Sequence, residues 1–128
     1  MNKVILMGRL TADVELGQTG KGKDARSYGN FTVAVRDGVD ADGEKRTQFI
    51  RCVAFGKIAE VLNKFTGKGQ PICVCGRLHV SSYEDENDVT HWTTSVVVED
   101  FDLIGSANKD EDEEDEKQKK NTKKYSKK

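Results

Sequence analysis

The segment TQFIRCVAFGKIAEVLNKF, from Thr47 to Phe65, decides the fold because its hydrophobic period changes half-way along. Its first nine residues alternate as a strand does, since successive strand side chains face opposite sides. Ile50, Cys52 and Ala54 form one small apolar face, and the opposite face carries two phenylalanines with an arginine between them. Either both faces are buried, or the aromatic face is a binding surface.

The second half of the segment has a helical period. Four apolar residues recur at the i, i+3, i+4, i+7 spacing of one helix stripe: Ile58, Val61, Leu62 and Phe65. This pattern predicts a helix of about two to three turns. Gly67 and Gly69 end the helix, and Pro71 begins the next strand.

Outward from this segment the chain reads as further strands. Apolar or alternating runs predict strands at 2–10 and 30–36 before Thr47, and at 72–82 and 91–104 after the helix. Residues 16–30 are rich in Gly, Lys and Asp and are predicted to be a loop. Asp42-Gly43 is the expected hairpin tip.

The resulting order is three strands, one short helix and two strands, with short connections that favour antiparallel pairing. That is the order of the five-stranded Greek-key OB-fold barrel, which binds oligonucleotides and oligosaccharides. We therefore predict an all-β fold with one short helix that closes an end of the barrel. Ile50, Cys52 and Ala54 suit its interior, which leaves the phenylalanines and the arginine outside.

The composition divides the chain near Gly105. Residues 1–105 have 13 basic and 15 acidic residues and form the predicted OB-fold domain. Residues 106–128 contain one large apolar residue, Tyr125, so they cannot offset their ordering entropy and are predicted to be disordered. Seven acids followed by seven lysines in this segment are typical of an interaction tail.

Composition also limits location and cofactors. No apolar run reaches the ~18 residues of a membrane span, and the start MNKVILMGRL lacks the apolar region and cleavage site of a signal peptide. A cytoplasmic, reducing location is the expectation, without a membrane partner.

The three cysteines are expected to be small buried side chains. With two histidines and no CxxC pair, no metal site or other cofactor is predicted.

Several separated motifs then carry a family resemblance, and they follow one another in this order: MNKVILMGRLTAD, NFTVAV, FIRCVAFGKIAEVLNKF, KGQPICVCGRLHVSSYEDE and WTTSVVVEDFDLI. Over residues 1 to about 105 the chain resembles the bacterial and phage single-stranded DNA-binding proteins. The resemblance implies an OB-fold that binds and protects single-stranded DNA during replication, recombination or repair, without strong sequence preference. It also implies a homotetramer.

Two departures from the family pattern affect what the resemblance implies. The chain ends KKYSKK, whereas the family generally ends in a short acidic, hydrophobic tip that recruits replication and repair proteins. Recruitment of those partners is therefore not predicted. In addition, the loop RDGVDADGEK lacks the stacking tryptophan of well-studied relatives.

Assembly has support from the residues as well. The first strand has apolar side chains on both faces, with Val4 and Leu6 on one and Ile5 and Met7 on the other. A barrel buries only one of these faces, so the second suggests pairing with another subunit.

The aromatic face gives the candidate DNA-binding residues. Phe49, Phe55 and Tyr83 match positions at which the family stacks bases, and stacking contributes ~1–3 kcal/mol per base without reading sequence. Arg51, between the phenylalanines, can pair with phosphate or lie flat on a base. Phe55 could instead pack under the helix. Trp92 is a candidate for stacking, for the core or for an interface, and Phe31 is expected in the core.

Basic residues on the strands and adjoining loops complete the predicted site: Lys3, Arg9, Arg36, Lys45, Arg46, Arg51, Lys57 and Arg77. The local field rather than the net charge determines attraction of a phosphate backbone. Many of the acids cluster in the stretches DGVDADGE, EDEND and EDFD, which can lie away from the binding groove.

Two other function classes are alternatives to DNA binding. An enzyme with Cys52 as nucleophile and His79 or His91 as base is not predicted, because Cys52 faces the interior, where a thiol is inert. An OB-fold protein-interaction module, or an accessory replication factor with weak nucleic-acid binding, is the alternative, since a fold does not fix a function. Salt dependence separates it from a phosphate-dependent DNA binder.

Overall fold

The computed structural model describes residues 1–105, so the predicted disordered tail at 106–128 lies outside the described residues. The elements are the strands β1 (Val4–Leu10), β2 (Glu15–Thr19), β3 (Arg26–Val39) and β4 (Lys45–Phe55), the helix α1 (Lys57–Phe65), and the strands β5 (Pro71–Glu84) and β6 (Thr90–Leu103). In the part of the chain described, no helix has the length and apolar character to cross a membrane.

Five of the strands close into a ring, as predicted. β1 pairs with β5, β5 with β6, β6 with β4, β4 with β3, and β3 returns to β1. Every pairing is antiparallel except that of β4 with β6, which is parallel and is made by Cys52 with Val96 and by Val53 with Val97. The structure therefore confirms the five-stranded barrel and adds one parallel junction.

The prediction of a loop at residues 16–30 was wrong. β2 and the start of β3 form a hairpin there, with pairs running from Glu15–Asn30 to Thr19–Arg26. Gly17 contributed to the wrong prediction, because by composition it indicates a loop. In the structure a Cβ atom at this position would lie 2.6 Å from the Tyr28 hydroxyl oxygen. The glycine leaves room for the Tyr28 ring across the strand, so here it marks a close packing contact instead of a flexible connection. β2 is thus a sixth strand outside the ring.

The interior contains the small face of β4. Cys52 and Ala54 are 3% and 0% exposed, and Ile50 packs against the rim of the core with Phe31 buried nearby. Burial raises the pKa of the Cys52 thiol to about 12. The thiol therefore stays protonated at neutral pH, which agrees with the prediction that it is not a nucleophile.

The helix buries a narrower stripe than its sequence predicts. Leu62 and Ala59 are fully buried, and α1 contacts β3, β4 and β2. Phe65, predicted to lie on the buried stripe, is 61% exposed. It is the last residue of α1, and the Lys64 amine lies 5.4 Å from the centroid of its ring.

The outer face of β1 and β5 is apolar and exposed. Ile5 and Met7 are 68% and 63% exposed, as expected for a second apolar face. They pair with Cys75 and Cys73 respectively, and these two thiols are half-buried on this outer surface. The expectation that all three cysteines are buried therefore holds for Cys52 alone.

Candidate nucleic-acid interface

The aromatic face of β4 continues across β3 as a single surface. Directly paired strand residues point to the same side of a sheet, and four pairs lie on this side: Ala34–Phe49, Thr32–Arg51, Asn30–Val53 and Tyr28–Phe55. We call this surface the β3–β4 face. At ~3.3 Å per strand residue, Phe49 and Phe55 are separated by about 20 Å along β4. The face is therefore long enough to follow an extended polymer.

The two phenylalanines of the β3–β4 face differ in exposure. Phe49 is 65% exposed, while Phe55 is half-buried at the end of β4. The guanidinium of Arg26, the first residue of β3, lies over the Phe55 ring with its Cζ atom 5.0 Å from the ring centroid. Arg26 thus presents a cation above one aromatic side chain, an arrangement that also stacks on nucleobases.

Two cavities meet at Arg51. The larger, of about 490 Å³, runs between the β3–β4 face and residues 93–95 of β6, and it is lined by Thr32, Arg51 and Thr94 among others. The smaller, of about 310 Å³, is lined mainly by apolar groups, including Phe49 and Leu78. Arg51 lines both cavities and is therefore central to the groove. Asp13 and Glu15 also line the larger cavity, so this end of the groove carries negative charge that the predicted acidic clusters did not include.

The second group of aromatics is on the hairpin of β5 and β6. Tyr83 pairs with His91, and Ser82 pairs with Trp92, so Tyr83 and Trp92 point to opposite faces of this hairpin. Their exposures are 55% and 70%. The core alternative for Trp92 is therefore wrong, and a ligand would contact these two side chains from opposite sides.

Tyr83 is held within a small polar cluster. Its ring stacks on the His91 ring with centroids 5.1 Å apart and planes inclined by 21°. The His91 Nε2 atom is 2.6 Å from Asp85 Oδ2. The other carboxylate oxygen of Asp85 accepts hydrogen bonds from the N–H groups of Asn87 and Val89, which closes the turn. The hydrogen bond from His91, followed by the two from the backbone, lowers the pKa of Asp85 below its ordinary value.

The predicted cations fall into two groups. Lys3 and Arg77 both approach Glu99, at 3.3 and 3.8 Å, and Arg46 pairs with Asp37 at 3.3 Å. The hydrogen bonds from Gln48 and Arg46 lower the pKa of the Asp37 carboxyl. These ion pairs are solvent-exposed and therefore weak.

The other group has no acidic partner within residues 1–105: Arg9, Arg36, Lys45, Arg51 and Lys57. Arg9 pairs with Ala34 of β3, in register with Phe49 of β4. Arg36 pairs with Thr47, two residues from Phe49, and so lies on the β3–β4 face. Lys57 begins α1, just beyond Phe55. Register therefore aligns Arg9, Arg36 and Arg51 with the exposed aromatic side chains.

Sequence reasoning missed three side chains of this surface: Arg26, Tyr28 and His91. Arg26 and Tyr28 lie on the same side of β3 as Asn30 and Thr32. They were missed because residues 16–30 were predicted to be a loop and the strand was expected to begin at residue 30. The sequence presents His91 only as a candidate metal ligand and as a base for Cys52, and neither role is predicted. It pairs with Tyr83 through the register of β5 against β6, which the residues of either strand alone do not specify.

Comparison with known proteins agrees with this geometry. Residues 1–104 match the model of the single-strand binding protein family. The chain belongs to that family. Membership supports the resemblance found in the sequence, and it accords with a non-enzymatic DNA-binding protein.

Individual relatives bear the corresponding name. A single-stranded DNA-binding protein of Clostridium perfringens is 41% identical over 109 residues, which are 84% of this chain and 69% of the relative. One of Fusobacterium nucleatum is 43% identical over 112 residues, 84% of this chain and 68% of the relative. One of Lactiplantibacillus plantarum is 40% identical over 107 residues, 83% of this chain and 52% of the relative.

Proposed function

We propose that this family member binds and protects single-stranded DNA through the β3–β4 face and the hairpin of β5 and β6. The observation that carries the proposal is the exposed Phe49 beside Arg51 at the meeting point of two cavities. An exposed aromatic ring next to an unpaired cation offers a stacking surface and a phosphate ligand together. Every base has a π-face, so binding of this kind does not depend on sequence.

The proposed path uses the remaining site residues in two roles. Phe49, Phe55 and Tyr83 stack bases, and Arg51 contacts the backbone between them. Further phosphate contacts come from six of the other basic residues of the predicted site: Lys3, Arg9, Arg36, Arg46, Lys57 and Arg77. Of these, Lys3, Arg46 and Arg77 first exchange an exposed acidic partner for phosphate, which costs little because such pairs are weak.

We further propose that the chain works as a homotetramer in a reducing cytoplasm, on DNA undergoing replication, recombination or repair. The exposed Ile5 and Met7 support assembly, because the outer face of β1 is apolar and, among residues 1–105, one side of Val4–Gly8 has no strand partner. Light scattering is the test of assembly. A mass of 14.2 kDa at micromolar concentration would contradict it.

The test of DNA binding is a titration with oligo-dT at two salt concentrations, followed by the fluorescence of Trp92 and the tyrosines. We expect binding at both, with log K falling linearly with log salt at ~0.7 per phosphate contact. A double-stranded oligonucleotide of equal length is the matched control, because its bases are not free to stack. Absence of binding to oligo-dT at the lower salt would favour a protein-interaction module.

A further inference from the structure

We propose that His91 is a positioning residue: it holds Tyr83 in the orientation that receives a base, and Asp85 in turn holds His91. The proposal rests on the proposed stacking role of Tyr83, and goes beyond it by naming what keeps that ring in place. Three contacts support it, namely the ring stack at 5.1 Å, the 2.6 Å approach of Nε2 to Oδ2, and the anchoring of Asp85 in the turn backbone.

The need for a positioning residue follows from where Tyr83 lies. The last eight residues of β5, including Tyr83, are all exposed, so the barrel core provides no packing that would fix its ring. An aromatic side chain that becomes ordered only when DNA binds lowers the affinity, because the entropy lost on ordering opposes binding. His91 covers one face of the ring before DNA arrives and leaves the other face available.

Asp85 gives the stack a fixed attachment point. Its Oδ1 atom accepts the N–H groups of Asn87 and Val89, so the carboxylate cannot rotate without breaking the turn. The Oδ2 atom is then directed at His91 Nε2. With its proton on Nε2, the imidazole donates this hydrogen bond to the carboxylate.

The decisive experiment is a double-mutant cycle in the full chain, with affinity for oligo-dT as the readout. His91→Ala should weaken binding by about two- to tenfold, the factor that corresponds to immobilising one side chain. In a Tyr83→Ala background the same substitution should change affinity by less than about twofold, within ordinary additivity. His79→Ala is the matched control, because His79 lies on the same face of the hairpin and should have little effect.

A second readout needs no DNA. The NMR signals of the Tyr83 ring should shift in His91→Ala and also in Asp85→Ala, whereas His79→Ala should leave them in place. His91→Phe keeps a ring for stacking but lacks the donor to Asp85, so it should restore part of the affinity lost in His91→Ala. Thermal melting of each variant shows whether the barrel has remained folded.

The pH profile adds a test with a defined sign. The groups that face His91 on this hairpin are Asp85 and Tyr83, with Glu84 adjoining and His79 further along the same face. The pKa of Asp85 is lowered in the folded protein, so its contribution is present above the ordinary carboxyl range and is lost as pH falls through the lowered value. The free energies of unfolding of the wild type and of His91→Phe should therefore converge, as far as this contact is concerned, when the pH falls through the lowered Asp85 pKa, and a urea melt at each pH measures the difference.

Each contrary result has a separate meaning. An equal loss from His91→Ala in both backgrounds would show that His91 contacts DNA itself, which overturns the positioning role. No loss in either background, or a ring shift without an affinity change, would also overturn it. If Tyr83→Ala binds like the wild type while Phe49→Ala does not, this inference fails and the proposed function stands. If neither variant loses affinity, the proposed function itself fails.

Discussion

Replacing Phe49 by alanine is the sharpest test of the β3–β4 face. Phe49 is 65% exposed, so its removal should change the free energy of unfolding by only about 0.5 kcal/mol, as at other surface sites. Loss of one stacking partner should cost ~1–3 kcal/mol of binding, which is a decrease in affinity of about 5- to 150-fold. Because the ring is neutral, the salt slope should stay unchanged.

The chain offers two matched phenylalanine controls. Phe65 is 61% exposed but lies at the end of α1, away from the β3–β4 pairing, so Phe65→Ala should leave both DNA affinity and stability near the wild type. Phe31 is 6% exposed, and Phe31→Ala should destabilise the barrel by ~3–5 kcal/mol. The three variants thus separate stacking, exposure and core packing for one residue type.

The assay is a titration with oligo-dT followed by Trp92 fluorescence, with a denaturant melt of each free protein. The expected pattern is that Phe49→Ala alone loses affinity while keeping its stability. Equal losses of affinity from Phe49→Ala and Phe65→Ala would refute the reasoning, since exposure alone would then explain the effect. Intact affinity with a lowered melting midpoint in Phe49→Ala would make Phe49 a core residue.

Further predictions concern charge, backbone packing and the tail. Arg51→Ala should lower the salt slope by ~0.7, the value for one single-strand phosphate contact, and an unchanged slope in the same titration would contradict a phosphate contact. Gly76→Ala should destabilise the fold by ~1–3 kcal/mol in a denaturant melt, because the new Cβ atom would collide with the carbonyl of Val97. A stable variant would show that the backbone relaxes at the register shift that β5 has between Cys75 and Gly76. A chain ending at Gly105 should bind within about tenfold of the full chain. One ending at Glu116 should bind more weakly at low salt, with the gap closing as screening increases; tight binding by that truncation would show that the acidic run does not reach the groove.

Strand periodicity predicted the barrel because burial in a closed sheet repeats every second residue. Cys52 and Ala54 alternate with Arg51 and Phe55, and the structure buries the first pair and leaves the second pair on the outer side. The predicted turn at Asp42-Gly43 is also confirmed, since Gly43 has a φ of 80°. Features of this kind depend only on residues that are close together in the sequence, so a single sequence is enough to predict them.

Features that depend on cross-strand packing could not be predicted in the same way. Gly17 indicates a loop by composition, but its role depends on Tyr28 lying opposite. Phe65 fits the helix period, but its exposure depends on where α1 ends relative to the barrel. The stack of Tyr83 on His91 requires the register of β5 against β6, which the residues of either strand alone do not specify.

The parallel junction between β4 and β6 affects where the barrel opens locally. This closure is made by two residue pairs, of which one joins Val53 to Val97, and the larger cavity runs directly over it, with Arg51 on one side and Thr94 on the other. We expect amide hydrogen exchange to be faster at this junction than between β5 and β6, because local opening begins where few bonds must break. On the proposed binding path a strand of DNA should lie across both sides of the junction and slow that opening, so that thermal stability should rise with the concentration of the DNA.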